Sequence, residues 1–210
     1  MKNDVMIFSF ITLLMLLHTA TQAQGQGDAV LDWDGNAVMT GETYYVLSVT
    51  AFTGGLEPYV VSNETCPYGV SQSRTGDGIP VKFSAADQGC VIHEDADLDI
   101  SFSSSIECSP SNLWKKGDYD NATQQYFVTI GGIVGDGAFQ IQRIVDSLPD
   151  PAAHHYKLVY CPKTCACCIR SKCNDVEIYD QFGDRRLAVI TGKTSFNIVF
   201  YRNVPKIAKY

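Results

Sequence analysis

Apolar and polar residues alternate in short runs along this 210-residue chain, and no stretch carries the three-to-four-residue spacing of a long amphipathic helix after position 27. Strand-like patches recur instead. Residues 30–49 read as a short strand, a tight turn at Asp34-Gly35-Asn36, and a longer strand over 43–49 in which β-formers follow one another without a breaker. Two series of patches repeat along the chain. Positions 44–49, 98–102 and 156–160 form one, and positions 79–83, 139–144 and 196–200 form the other. Successive members lie between 54 residues (Tyr44 to Leu98) and 60 residues (Ile79 to Phe139) apart. That period predicts three stacked units of about four strands each, closed on one another so that few strand edges stay open. The polar stretches 69–78, 84–96, 103–120 and 149–155 are expected as connections projecting from that frame, and binding is expected there. The glycine-rich run 131–137 reads as a hairpin turn, since no βα unit precedes it.

Composition supports one folded domain, with 45% hydrophobic and 11% aromatic residues for its core. A formal charge of -7 excludes a nucleic-acid partner, because phosphate binding needs a cationic field. Arg170, Lys172, Arg185, Arg186, Lys193, Arg202, Lys206 and Lys209 make the last forty residues locally basic, and a solvated face is the expected use. At the other end, Lys2 precedes an apolar run over 5–17 and the small residues near Ala23, which predicts a signal peptide over residues 1–23. That run is too short to span a bilayer, so no membrane partner is expected. The mature protein is expected to be secreted (extracellular, apoplastic) or vacuolar, with N-glycosylation sequons at Asn63 and Asn121.

The order Leu31-Asp32, Gly35, Val38, then Tyr44-Tyr45-Val46 resembles the opening signature of the plant Kunitz-type (soybean trypsin inhibitor) protease inhibitors. Cys66-Pro67-Tyr68-Gly69-Val70 with 78–83, then 126–132, 156–162 and 185–188, resemble its later blocks, most closely in the miraculin-like branch. The resemblance covers nearly everything after residue 27. It implies an all-β, disulfide-stapled β-trefoil of twelve strands over residues 28–205 that binds a target endopeptidase, most readily a serine protease.

Eight cysteines fall at 66, 90, 108, 161, 165, 167, 168 and 173. Cys161, Cys165, Cys168 and Cys173 have a spacing that could hold zinc through four thiolates, but export to an oxidising compartment favours disulfides. Spacing alone leaves 105 connectivities for eight cysteines. The resemblance implies Cys66–Cys108, Cys161–Cys173 and Cys165–Cys168; whether Cys167 or Cys168 takes the bond to Cys165 stays open. Chain entropy assigns about 4 kcal/mol to the first bridge and about 3 kcal/mol to the second. Cys90 and Cys167 are left without family partners, to pair with each other, to remain thiols, or to link two chains; the protein is expected as a monomer or a disulfide-linked dimer.

Within the family, the loop between the fourth and fifth strands enters the protease cleft with an extended, substrate-like backbone. Here it spans residues 84–96. Counting back from Leu98-Asp99-Ile100, the residue for the specificity pocket falls near Gln88 and Gly89 follows the scissile bond, with Asp87, Cys90 and Val91 as neighbours. Trypsin's pocket needs Lys or Arg, and neither occurs between Lys82 and Lys115, so strong trypsin inhibition is not expected. The family steadies this loop with an Asn side chain where this chain has Thr40. A shorter side chain makes fewer hydrogen bonds, which predicts a looser loop unless a Cys90–Cys167 bond clamps it.

No catalytic constellation emerges. Asp95-x-Asp97-x-Asp99 begins like a calcium loop but lacks its later Gly and Glu, and His93, His154 and His155 have no nucleophile motif beside them. The expectation is therefore a non-enzymatic protease inhibitor without cofactor or metal. The alternative is a trefoil without inhibition, serving as a storage or defence protein or as a taste-modifying or carbohydrate-binding module.

Overall fold

A computed structural model describes the chain over residues 27–50, 53–60, 66–86, 88–136, 138–144, 154–162, 172–190 and 196–203. The targeting segment, Asn63, Asp87, Cys165, Cys167 and Cys168 lie outside the described residues. Twelve strands follow in order: β1 (Thr43–Ser48), β2 (Leu56–Val60), β3 (Pro67–Gln72), β4 (Val81–Ala85), β5 (Leu98–Phe102), β6 (Trp114–Asp120), β7 (Gln125–Ile130), β8 (Phe139–Arg143), β9 (Tyr156–Tyr160), β10 (Asn174–Gln181), β11 (Asp184–Ile190) and β12 (Ile198–Arg202).

Six strands pair antiparallel in the ring order β1, β4, β5, β8, β9, β12, and the β1–β12 ladder completes a barrel without edges. The remaining six form the hairpins β2–β3, β6–β7 and β10–β11. Their inner strands β3, β7 and β11 pair with one another, so the three hairpins form one cap. Three four-strand units arranged this way are a β-trefoil. The two repeating series of the sequence are its barrel strands: β1, β5 and β9 form one, and β4, β8 and β12 the other.

Period-two alternation explains why these residues build the barrel. In β4 (Val-Lys-Phe-Ser-Ala) and β5 (Leu-Asp-Ile-Ser-Phe), every apolar side chain points inward and is buried while the polar ones face out. Phe83 meets Phe200 edge-on at 5.4 Å, and Phe200 meets Tyr156 at 5.6 Å, tying β4, β12 and β9 across the barrel. Burial of each such ring contributes about 1.5–3 kcal/mol. Two disulfides staple the connections: Cys66, just before β3, to Cys108 in the β5–β6 connection, and Cys161 after β9 to Cys173 before β10. Of the basic residues near the C-terminal end, Arg170, Lys193, Lys206 and Lys209 lie outside the described residues, while three arginines have local partners. Arg185 donates to Gln72 and pairs with Asp180, Arg202 pairs with Glu42, and Arg186 lies 3.5 Å from the Phe127 ring centroid.

Four expectations differ from the observed path. The turn at Gly35 (φ 80) exists, but its arms are only the Leu31–Ala37 bridge and its flanks; a second turn at Gly41 (φ 81) redirects the chain, and β1 pairs with β12 and β4. Of the stretches assigned to connections, 69–72 belongs to β3 and 114–120 to β6. Both lie in the cap, and β6 leaves most of its polar side chains at least partly solvated, so no apolar alternation marks it. The run 131–136 joins β7 in the cap to β8 in the barrel, which do not pair with each other; it is a crossing and not a hairpin turn.

Candidate functional site: the loop between β4 and β5

The loop leaves the barrel where the β4–β5 ladder ends, at the Ala86 N–H to Asp97 carbonyl bond (3.0 Å). Gln88 N–H then turns back to the Ala85 carbonyl at 3.1 Å, and Gln88 itself sits at φ 58. A non-glycine residue there is in the left-handed region, so the extended backbone expected at this position is absent at Gln88. From Cys90 to Glu94 the loop runs between two parts of the amino-terminal segment, tied to them by isolated bridges at Val91 and His93. Thr40 N–H donates to the Cys90 carbonyl (2.8 Å), Ile92 N–H to the Val38 carbonyl (2.8 Å), Val30 N–H to the Ile92 carbonyl (2.9 Å) and Glu94 N–H to the Asp28 carbonyl (2.8 Å). Ile92 is fully buried beneath this lattice, whereas Gln88 and Cys90 are exposed.

Thr40 supplies the side-chain support. Its hydroxyl donates to the Gly89 carbonyl at 2.7 Å, immediately after Gln88. Thr40 therefore gives one side-chain bond and one backbone bond to consecutive loop residues. Cys90 is a free, exposed thiol, and Cys167, its suggested clamping partner, lies outside the described residues.

The amino-terminal segment is itself fixed by two tyrosines of the first repeating series of strands. The Tyr44 hydroxyl accepts from Met39 N–H and the Tyr156 hydroxyl from Leu31 N–H, each at 2.9 Å. Both tyrosines are fully buried, and burial pushes both phenols up, so each stays protonated while its oxygen accepts. Asp32 holds the first turn by accepting from the N–H groups of Asp34 (3.0 Å) and Asn36 (2.8 Å). The signal for the tyrosines was available: a buried Tyr hydroxyl needs a partner, and both sit at the start of a strand in the first repeating series.

Other singled-out residues have structural partners. Asp95 and Asp97 each accept from a β8 amide, Gln142 and Gln140 respectively, both at 2.8 Å, and Asp99 accepts from Gly135 N–H at 2.7 Å. Each of these three carboxylates therefore fastens the loop's return strand to its neighbours. His93 Nδ1 lies 2.8 Å from the Gly27 carbonyl. Asn121 is exposed in the β6–β7 turn. Burial pushes the Glu94 carboxyl up despite Arg143, which approaches to 3.9 Å.

A barrel capped by three hairpins, with one loop braced from beneath by the amino-terminal segment, defines a β-trefoil built to present a loop. Residues 30–202 match the model of the legume Kunitz family, described as trypsin and protease inhibitor. The chain belongs to this family. It is 32% identical to Kunitz trypsin inhibitor 5 of Arabidopsis thaliana over 190 residues, covering 88% of this chain and 92% of that protein. Miraculin of Synsepalum dulcificum is 36% identical over 214 residues, with 90% of this chain and 93% of that protein covered. Among solved structures, a Kunitz-type cysteine protease inhibitor from potato superposes with a TM-score of 0.70 at 28% identity, covering 85% of this chain and 98% of that one.

Proposed function

We propose that this protein is a secreted, reversible endopeptidase inhibitor that acts without catalysis or cofactor by presenting Gln88, Gly89, Cys90 and Val91, with Asp87 beside them, to a protease cleft. The observation that carries this reading is the bracing of an exposed segment: Thr40 and the strand-like pairing of 90–94 fix the chain behind Gln88, and a loop ordered in advance loses little entropy on binding. Trypsin is a poor target, since the loop offers no Lys or Arg. A serine protease with a small or apolar pocket, or a cysteine protease, fits better, and the structurally similar Kunitz-type protein from potato is a cysteine protease inhibitor. The free Cys90 thiol is compatible with a monomer and gives a disulfide-linked dimer its only described route.

A second reading, a trefoil without inhibition, is favoured by the left-handed backbone of Gln88, which does not present an extended strand, and by the relation to miraculin. Titrating trypsin, chymotrypsin, elastase, subtilisin and papain with the mature protein separates the two. Inhibition of a non-tryptic enzyme supports the first. Absence of inhibition of any at micromolar concentration, with glycan binding on an array, supports the second.

A further inference from the structure

The β6–β7 turn carries Asn121-Ala122-Thr123, which the protease reading leaves unused. Its backbone is firmly set. Asp120 Oδ1 accepts from Ala122 N–H (2.8 Å) and Thr123 N–H (3.2 Å), its carbonyl accepts from Gln124 N–H (2.7 Å), and Gln124 closes the turn at φ 57. Asn121 projects into solvent from this frame. Two residues earlier stands Tyr119, 46% exposed, tilted against Tyr126, 38% exposed, with ring centroids 5.1 Å apart. Lys116 Nζ lies 4.1 Å from the Tyr126 centroid, so Tyr119 is the less occupied of the two rings. The pair borders an open cavity of about 450 Å³ whose walls include Gln124, Gln125, Tyr179 and Asp180. An aromatic face that meets the C–H face of a sugar, rimmed by amides and a carboxylate that meet its hydroxyls, is the chemistry of carbohydrate contact, and the acceptor Asn stands in the turn between two of its lining residues, Tyr119 and Gln124.

We propose that Asn121 is N-glycosylated and that the first N-acetylglucosamine of its glycan folds back onto Tyr119. In the transfer, the Asn121 side-chain nitrogen bonds to the anomeric carbon of the oligosaccharide. The bond from that carbon to the polyisoprenyl diphosphate of the lipid-linked donor breaks, the diphosphate leaves with the electron pair, and one amide proton is released. The donor is that of the secretory route which the leader addresses. Once attached, the sugar covers apolar area that the bare protein leaves in water, and it joins the β6–β7 hairpin to the β10–β11 hairpin across the cavity.

The test is expression of the full chain with its own leader in a eukaryotic secretory host, followed by glycopeptide mass spectrometry and melting of four proteins: the parent, Asn121→Gln, Tyr119→Ala and the double variant. The expected result is a glycan on Asn121 and a fall in Tm of about 2–4 °C on Asn121→Gln that disappears when Tyr119 is already Ala. Trimming the glycan to its first sugar should leave the increment in place. Tyr119→Leu, which keeps bulk without a flat ring face, serves the same comparison if the Ala variant does not fold. An unmodified Asn121, or an increment that survives loss of the Tyr119 ring, overturns the proposal.

Discussion

Replacing Thr40 by Val keeps the shape of the side chain and removes only its hydroxyl, and with it the 2.7 Å bond to the Gly89 carbonyl. The Thr40 N–H bond to Cys90 is backbone and stays. A neutral hydrogen bond of this kind contributes about 0.5–1.5 kcal/mol net. With about 1 kcal/mol lost, the opened loop becomes about fivefold more populated. Hydrogen exchange read by mass spectrometry over residues 84–97 should quicken by that factor, while Tm falls by only about 2–4 °C. Affinity for an inhibited protease should weaken by a similar factor, because ordering the loop then adds to the cost of binding. The converse variant, Thr40→Asn, offers two donors in place of one and should slow the same exchange. Unchanged loop exchange in a folded Thr40→Val protein would refute the reasoning, because the hydroxyl would then not be what restrains the loop.

Gln88→Arg should create trypsin inhibition at least tenfold tighter than the parent's, measured by competition with a chromogenic substrate; no gain would show that Gln88 does not occupy the pocket position. Phe83→Ala removes a ring buried against Phe200 and Tyr44, and urea denaturation should find about 3–5 kcal/mol lost; a loss under 1 kcal/mol would contradict the central place given to this ring. For Glu94 the dominant effect is burial, which raises its folded pKa above the unfolded value, so the fold is disfavoured as pH rises through the folded pKa. Glu94→Gln should thus be more stable than the parent at pH 7, with the advantage gone below about pH 4, and a loss of stability at pH 7 would mean that the Arg143 pairing outweighs burial.

The barrel was legible because its strands alternate strictly and repeat: Val81, Phe83 and Ala85 face Leu98, Ile100 and Phe102 across one ladder. The cap was not, since β6 reads Trp-Lys-Lys-Gly-Asp-Tyr-Asp and gains its place from pairing with β7, not from an apolar face. In the site, the position of the loop and the role of Thr40 followed from the resemblance to a known pattern, and the contact between Thr40 and Gly89 spans 49 residues. The backbone sign at Gln88 carries no signature in residue type. Nor did the partners of Asp95 and Asp97, which come from Gln142 and Gln140 on a strand more than forty residues away. The row of carboxylates that begins like a calcium loop is a row of acceptors, Asp95 and Asp97 for β8 side-chain amides and Asp99 for the Gly135 N–H.

The central claim is that residues 87–91 are the surface through which this protein meets a protease. Its most direct test replaces Asp87, Gln88, Gly89, Cys90 and Val91 with Gly-Ser residues and titrates the enzyme that the parent inhibits best, with circular dichroism verifying the barrel. The account predicts a folded protein whose inhibition is weakened at least a hundredfold. Equal inhibition by the parent and the replaced protein would contradict it.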